Sequence, residues 1–347
     1  TYSLPEKQIF LMMFVRDDIM EKYGWQDKIP NTWDEVIDLV ADLQAESLQF
    51  YLPVNEEGAT ALNPIFVSLL YQMGGELYIN DNKETGLLLE EGMEAFEKWT
   101  EFYTLYSFPS YASFINRFRS GEMPIGIAYY ETYNTLSVFA PELRGSWSYY
   151  PIPGSYRVDD NGNTYIDHTS TVSGTGAVIL REPAMKSASE RDASWEFLKW
   201  WTGTNIQYRF GQEMEGILGS AARHTTANVA ALKQLAWPAD DLEQLVKQWG
   251  FLESDTYVTV NGQNIASFEV ANSDGTVYPN VYGVHEMPQI AGSYISGREV
   301  ENAFREVINN LVNAKETLYE YANNINNEID RKRGEFGLPL AGEDEED

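Results

Sequence analysis

Apolar residues along this chain follow two spacings, and each predicts a different element. Residues 9–15 (IFLMMFV) form an unbroken apolar run, far too short to cross a bilayer and suited to a strand buried on both faces. The next stretch, RDDIMEKYG, reads as a short helix closed by Gly24. Within IPNTWDEVIDLV, Thr32 and Glu35 have the spacing of a capping box. Val36, Leu39, Val40 and Leu43 then recur at helical intervals, with Trp33 packing the helix end. NPIFVSLLYQMGG predicts a helix ending at Gly74 and Gly75, followed by a short strand or turn. LLLEEGMEAFEKWTEFYTLY predicts another, with Leu89, Met93, Phe96 and Tyr103 along one side.

Further on, FINRFRSGEMPIGIAYYETYN gives a helix end, a glycine turn and an apolar strand over 125–129. Two alternating runs flank DDNGN, a hairpin signal. SGTGAVIL reads as a buried strand preceded by glycines, and SERDASWEFLKWWTGTNIQYRF as a helix with Trp195, Leu198 and Trp201 on its apolar side. GILGSAARHTTANVAAL turns into a new helical region, and the polar stretch 251–279 predicts a hairpin or excursion. Two closing helices follow. Val300, Phe304, Val307, Ile308 and Leu311 mark the buried side of the first, and Asn313 with Glu316 caps the second. No internal repeat or long linker interrupts this mixed, helix-rich α/β order.

Composition narrows the function. Lys and Arg number 24 against 53 Asp and Glu, a formal net charge of −29 that repels nucleic acid and anionic membranes. Part of that excess lies in the terminal GEDEED, which reads as a disordered acidic tail over 341–347. Cysteine is absent, which removes disulfides, thiolate metal sites and thiol catalysis. The opening residues lack the basic and long apolar regions of a signal peptide, consistent with a cytosolic protein or with a mature or excised piece of an exported one. Aromatics make up 14% of the chain, either a Tyr-rich core or the flat apolar platforms that sugar rings stack on.

The common catalytic signatures are missing. His168, His224 and His285 stand far apart without ligand spacing, so no metal or other cofactor is expected. DDNGNTYID lacks the sixth-position glycine and the acidic twelfth ligand of a calcium loop. In SGTGAVIL the apolar run follows the glycines, the reverse of a dinucleotide fingerprint. The acid pairs Asp17–Asp18, Glu90–Glu91 and Asp240–Asp241 fall in helical stretches that read as exposed, a weak basis for a glycosidase pair.

Five landmarks in order resemble the extracellular solute-binding proteins of bacterial ABC importers, in particular the sugar-binding, long Firmicute lipoprotein members. They are FLMMFVRDDIMEKYGW leading to IPNTWDEVIDLVADL, then LLYQMGGELY, FRSGEMPIGIAYYETYN, ASWEFLKWWTGTNIQ, and MPQIAGSYISGREVENAFREVIN with LYEYANNINNEIDRKRGEFGLP. The resemblance implies a periplasmic-binding-protein-like (type II) α/β fold of two lobes. Residues 1–15 would be a crossover strand, 16–172 and 218–340 the second lobe, and 173–217 a returning first-lobe segment. The second lobe would be largely complete and the first partial, so the chain is expected to be a fragment.

It also implies a non-enzymatic receptor that captures a small solute, a mono- or oligosaccharide above all, between the lobes and delivers it to membrane permease subunits. Such a receptor is expected to be a monomer outside the cell, anchored through a lipidated N-terminus not in this chain. Carried over position by position, the ligand-binding candidates are Asn63 and Phe66, Tyr130, Glu131, Tyr133 and Asn134, Tyr294 and Arg298, with Gln8 lining the hinge. A carbohydrate-active hydrolase, for which only Glu131 stands out, and a non-transport interaction module are the alternatives.

Overall fold

The computed structural model describes residues 3–54, 61–180 and 187–342. The apolar run becomes the second half of a longer strand, β1 (Leu4–Val15), followed by α1 (Asp17–Tyr23), which Gly24 ends at a φ of 71°. α2 (Trp33–Ala45) starts from the predicted capping box: Glu35 N donates to the Thr32 hydroxyl, and Thr32 N to the Glu35 carboxylate. β2 (Phe50–Tyr51), α3 (Pro64–Gln72), the hairpin β3 (Tyr78–Ile79) and β4 (Glu84–Thr85), and α4 (Glu90–Thr104) follow. Then come α5 (Phe114–Ser120), β5 (Ile125–Tyr129), α6 (Thr132–Phe139), β6 (Ser148–Tyr150), and the predicted hairpin β7 (Ser155–Val158) and β8 (Thr164–Asp167).

After β9 (Ser170–Ala177) run α7 (Ala188–Trp201), α8 (Thr204–Leu218), α9 (Val229–Leu232) and α10 (Ala239–Gln248). The polar stretch supplies β10 (Thr256–Val260), β11 (Gln263–Ala271) and β12 (Val277–Val281). β13 (Val284–Glu286), α11 (Tyr294–Asn310) and α12 (Ala314–Glu335) complete the order.

One six-stranded sheet organises the molecule, in the order β13-β9-β1-β5-β2 with β6 also paired to β1. Because strand side chains alternate, the apolar run of β1 serves two cores. Leu11, Met13 and Val15 face a core built with α2, α3, α4, α11 and α12. Phe10, Met12 and Phe14 face a second, built with α5, α6, α9 and α10. Residues 151–154, 168–169 and 282–283 connect a five-stranded sheet, β10-β11-β12-β8-β7, to the first, and two buried amides hold these connections. Gln72 accepts from Trp33 Nε1 and donates to the Pro153 and Thr169 carbonyls. Gln248 accepts from Ile152 N and donates to the His168 and Gly283 carbonyls.

Four expectations need correction. The strand in SGTGAVIL begins earlier and contains the glycines, because β9 pairs with β1 over residues 172–177 and with β13 over 170–172; Val178 and Leu180 lie beyond it and are exposed. The helix predicted over 189–210 is two helices, α7 ending at Trp201 and α8 starting beyond Gly203, whose extended φ and ψ leave the helical region. α7 buries no residue fully, and its Phe197 and Trp200 are exposed. Leu311 is exposed rather than buried, as the left-handed C-cap of α11, and Leu89 is not part of the α4 stripe but its exposed N-cap. The acid pairs sit in the first turns of α1, α4 and α10, where they complement the positive ends of the helix dipoles; Asp17 and Asp241 are half-buried, not exposed. Most of the acidic tail lies outside the described residues.

Candidate functional site

Strand directions define one edge of the six-stranded sheet. β2 runs parallel to β5, β1 antiparallel to β5, β9 antiparallel to β1, and β13 parallel to β9. The carboxyl ends of β2, β5, β9 and β13 therefore all point toward the amino end of β1. That is the edge where open α/β sheets hold ligands.

β1 and β9 continue past this edge. Leu11 pairs with Tyr129 at the end of β5, while Leu4 pairs with Ala177, so the two strands run on together as a ribbon for about 20 Å. A third chain pass flanks the ribbon: Gln8 N donates to the Thr225 carbonyl, Ala227 N to the Glu6 carbonyl, and Lys7 bridges to Thr226. Within the ribbon the register shifts between Pro5 and Lys7. Gly174 lets the strands approach, since a Cβ there would meet the Lys7 carbonyl oxygen at 2.3 Å.

Two cavities open where the ribbon leaves the sheet, with Lys7 lining both. One, of about 340 Å³, is walled by Gln8, Ser173, Thr175, Glu286 and Gln289. The other, of about 310 Å³, is walled by Glu131, Thr132, Asn134, Phe210 and His224. Lys7 is exposed and makes no ion pair with the described residues; of the two cavities that it lines, one also carries Glu286 and the other Glu131. Gln8 Nε2 reaches Glu286 Oε1 at 3.4 Å. These groups supply hydrogen-bond donors and acceptors of both signs.

In the wall of the second cavity, Arg223 is held by Glu215 and lies over the Trp237 ring at 4.6 Å. Tyr133 donates to Asp241 Oδ2; burial and that carboxylate push its hydroxyl well above the usual tyrosine range, and burial pushes the Asp241 carboxyl up. His224 donates through Nε2 toward Gln207 Oε1, and burial lowers its imidazole to about 4.

The sequence candidates fall in three places. Gln8, on one side, and Glu131 and Asn134, on the other, line the two cavities that share Lys7, and the Tyr133 ring lies 5.9 Å from the Arg223 guanidinium. Asn63, Phe66 and Tyr130 present almost no surface to solvent. Asn63 caps α3 by accepting from Ile65 N and Phe66 N, Phe66 stacks on Trp99, and the Tyr130 hydroxyl donates to the Gln8 carbonyl. Tyr294 and Arg298 lie on the first turns of α11, bonded to Glu328 and Glu299. Lys7 and Glu286 escaped the sequence reading, which weighed His224 only as a metal ligand; only the closeness of Lys7 to Gln8 could have pointed to one of them.

A strand ribbon leaving a helix-flanked sheet at its ligand-holding edge defines an α/β protein of the periplasmic-binding class. Residues 1–273 match the model of the bacterial extracellular solute-binding proteins, and the chain belongs to that family. No curated protein matches it. Its fold is similar to that of an ABC transporter solute-binding protein from Thermotoga lettingae TMO bound with α-D-tagatose, at a TM-score of 0.61 and 16% identity over 94% of this chain and 72% of that one. It is similar also to maltose-bound MalE3 of T. maritima, at 0.59 and 16% over 93% and 72%. A third likeness is to the sugar-binding protein MalE of Xanthomonas citri, at 0.63 and 16% over 97% and 73%. Among the described residues, no helix is long and apolar enough to cross a membrane.

Proposed function

We propose that this protein captures a neutral mono- or oligosaccharide outside the cell and hands it, chemically unchanged, to the permease subunits of an ABC importer. It does so as a monomer held at the cell surface. The solute sits on the sheet edge around Lys7, contacted by Gln8, Glu131, Asn134 and Glu286. In this reading residues 1–15 cross between lobes, 16–172 and 218–340 form one lobe, and 173–217 belong to the other. Closure bends the ribbon.

The observation that supports the reading most directly is the pair of cavities beside the place where the two-stranded ribbon leaves the sheet and a third chain pass flanks it. Few passes make a bendable joint, and a site beside the joint changes shape when it bends. Sugar hydroxyls both donate and accept, which suits a rim carrying an ammonium, amides, carboxylates and hydroxyls together.

Calorimetric titration with maltose, tagatose and a set of neutral saccharides tests the proposal. Binding of at least one sugar without its chemical conversion is expected, at least ten-fold weaker in a Lys7→Ala, Glu131→Ala double variant. Turnover of the sugar, or affinity indifferent to those changes, would overturn it.

A further inference from the structure

A separate cavity, of about 180 Å³, shares no lining residue with the two at the rim around Lys7. It lies toward the carboxyl end of β1, where Met13 forms part of its wall. Around it meet α10, the segment ahead of α2, the end of β11 and the connections between the two sheets that Gln248 holds. Gln244 and Lys247, one turn apart on α10, both line it.

Lys247 is half-buried, and its ammonium makes no hydrogen bond or ion pair with the described residues. It lies over the Tyr282 ring at 4.6 Å and the Phe268 ring at 5.6 Å. Ring faces attract the charge, yet they do not replace an oxygen acceptor for its three N–H groups. Glu243, one turn earlier, is exposed and forms no ion pair with it. Burial holds the amine below the usual lysine range, with Glu243 pulling the other way. The Gln244 amide and the Tyr282 hydroxyl also lack a hydrogen-bond partner among the described residues. His168, in the same wall, spends both ring nitrogens on the Ile152 carbonyl and Asn280. An ammonium drawn partly out of water without an acceptor is costly, and an anion beside it offsets that cost.

We infer that this cavity binds a short-chain monocarboxylate, its carboxylate on Lys247 Nζ and the Gln244 amide and its alkyl end among Ile29, Pro30, Ile152 and Val270. The one unpaired ammonium calls for a single negative charge. A carboxylate oxygen accepts from the ammonium and from the amide at once. The apolar remainder of the wall favours an alkyl tail and penalises phosphate or sulfate, whose further oxygens would find no donors. The volume falls below the range of sites for larger small molecules, about 300–1,000 Å³, which excludes a sugar chain. Occupancy ties α10 to the segment ahead of α2 and to β11, and so stiffens the joint between the two sheets.

Calorimetry and lysine side-chain NMR on the full chain test the inference, at constant ionic strength, with propionate as the probe and chloride and phosphate for comparison. Propionate is expected to bind at least ten-fold more tightly than either, to raise the melting temperature, and to shift the Lys247 side-chain resonance, identified by its loss in Lys247→Met. Lys247→Met and Gln244→Leu, each checked for folding by circular dichroism, should both weaken propionate, Lys247→Met by ten-fold or more. The unaltered protein and Gln244→Leu keep the test open should Lys247→Met not fold. Absence of propionate binding, equal binding of chloride or phosphate, or affinity indifferent to both variants would overturn the inference. So would loss of propionate binding in Lys7→Ala alone, which would place the anion at the rim. None of these readouts depends on sugar binding.

Discussion

Glu35 receives three backbone N–H groups, from Asn31, Thr32 and Ser273, and so ties the start of α2 to the five-stranded sheet as well as to itself. Its partner in the capping box, Thr32, also bridges to Gly154. Thr32→Ala should cost about 1 kcal/mol, read as a lower urea midpoint with unchanged slope. At His224 the sign of the pH effect follows from burial. The folded imidazole titrates at about 4 and an unfolded one at about 6.5, so the unfolded chain takes up the proton first as pH falls. The stability this neutral histidine contributes is complete above pH 6.5 or so and is lost progressively down to about 4. Urea unfolding of the protein and of His224→Gln across that window should give a flatter pH dependence for the variant. Single residues were also the least legible level of the site. The capping box and the buried strand announce themselves through spacing, whereas Lys7 is one exposed lysine on a strand, and only the neighbouring passes of chain give it a setting.

Among the elements, β1 decides most. Each face of its apolar run supplies a different core, so a large-to-small change there is not absorbed by a single helix. Phe14 is ringed by Phe114, Phe118, Trp147 and Tyr149, with centroids 5.7 to 6.4 Å away. Phe14→Ala should cost about 3–5 kcal/mol by thermal or denaturant unfolding. Gly174→Ala places a methyl against the Lys7 carbonyl and should push β9 off β1 at the rim, lowering both the melting temperature and affinity for the sugar. The elements that sequence periodicity identified well are those with a buried stripe, such as α2, α4 and α11. It failed at α7 and after β9, where apolar residues 178–180 and Phe197 line an open hollow instead of a core. Periodicity reports which side chains are apolar and says nothing of whether another layer covers them.

Across the whole molecule, charge and function separate. The formal charge of −29 belongs to the whole sequence, with acid pairs on the first turns of α1, α4 and α10, while the rim around Lys7 mixes both signs. If the solute is neutral, its affinity should change less than two-fold between 50 mM and 500 mM salt by calorimetry, because no net charge is brought together on binding. A steep salt dependence would mean an ionic solute. The family was legible from the order of five short motifs, none of them decisive alone. The edge of the sheet was not, because it is fixed by pairings between segments more than a hundred residues apart, such as Leu11 with Tyr129 and Lys7 with Thr226.

The register shift in the ribbon has an optical consequence. It leaves Glu6 outside the pairing of β1 with β9, and the Glu6 carboxylate accepts the indole N–H of Trp201, at 3.0 Å, at the end of α7. An indole whose N–H changes partner changes its emission. Bending at that joint should therefore alter Trp201 fluorescence, giving the molecule an internal, label-free gauge of its own closure that Trp201→Phe would silence.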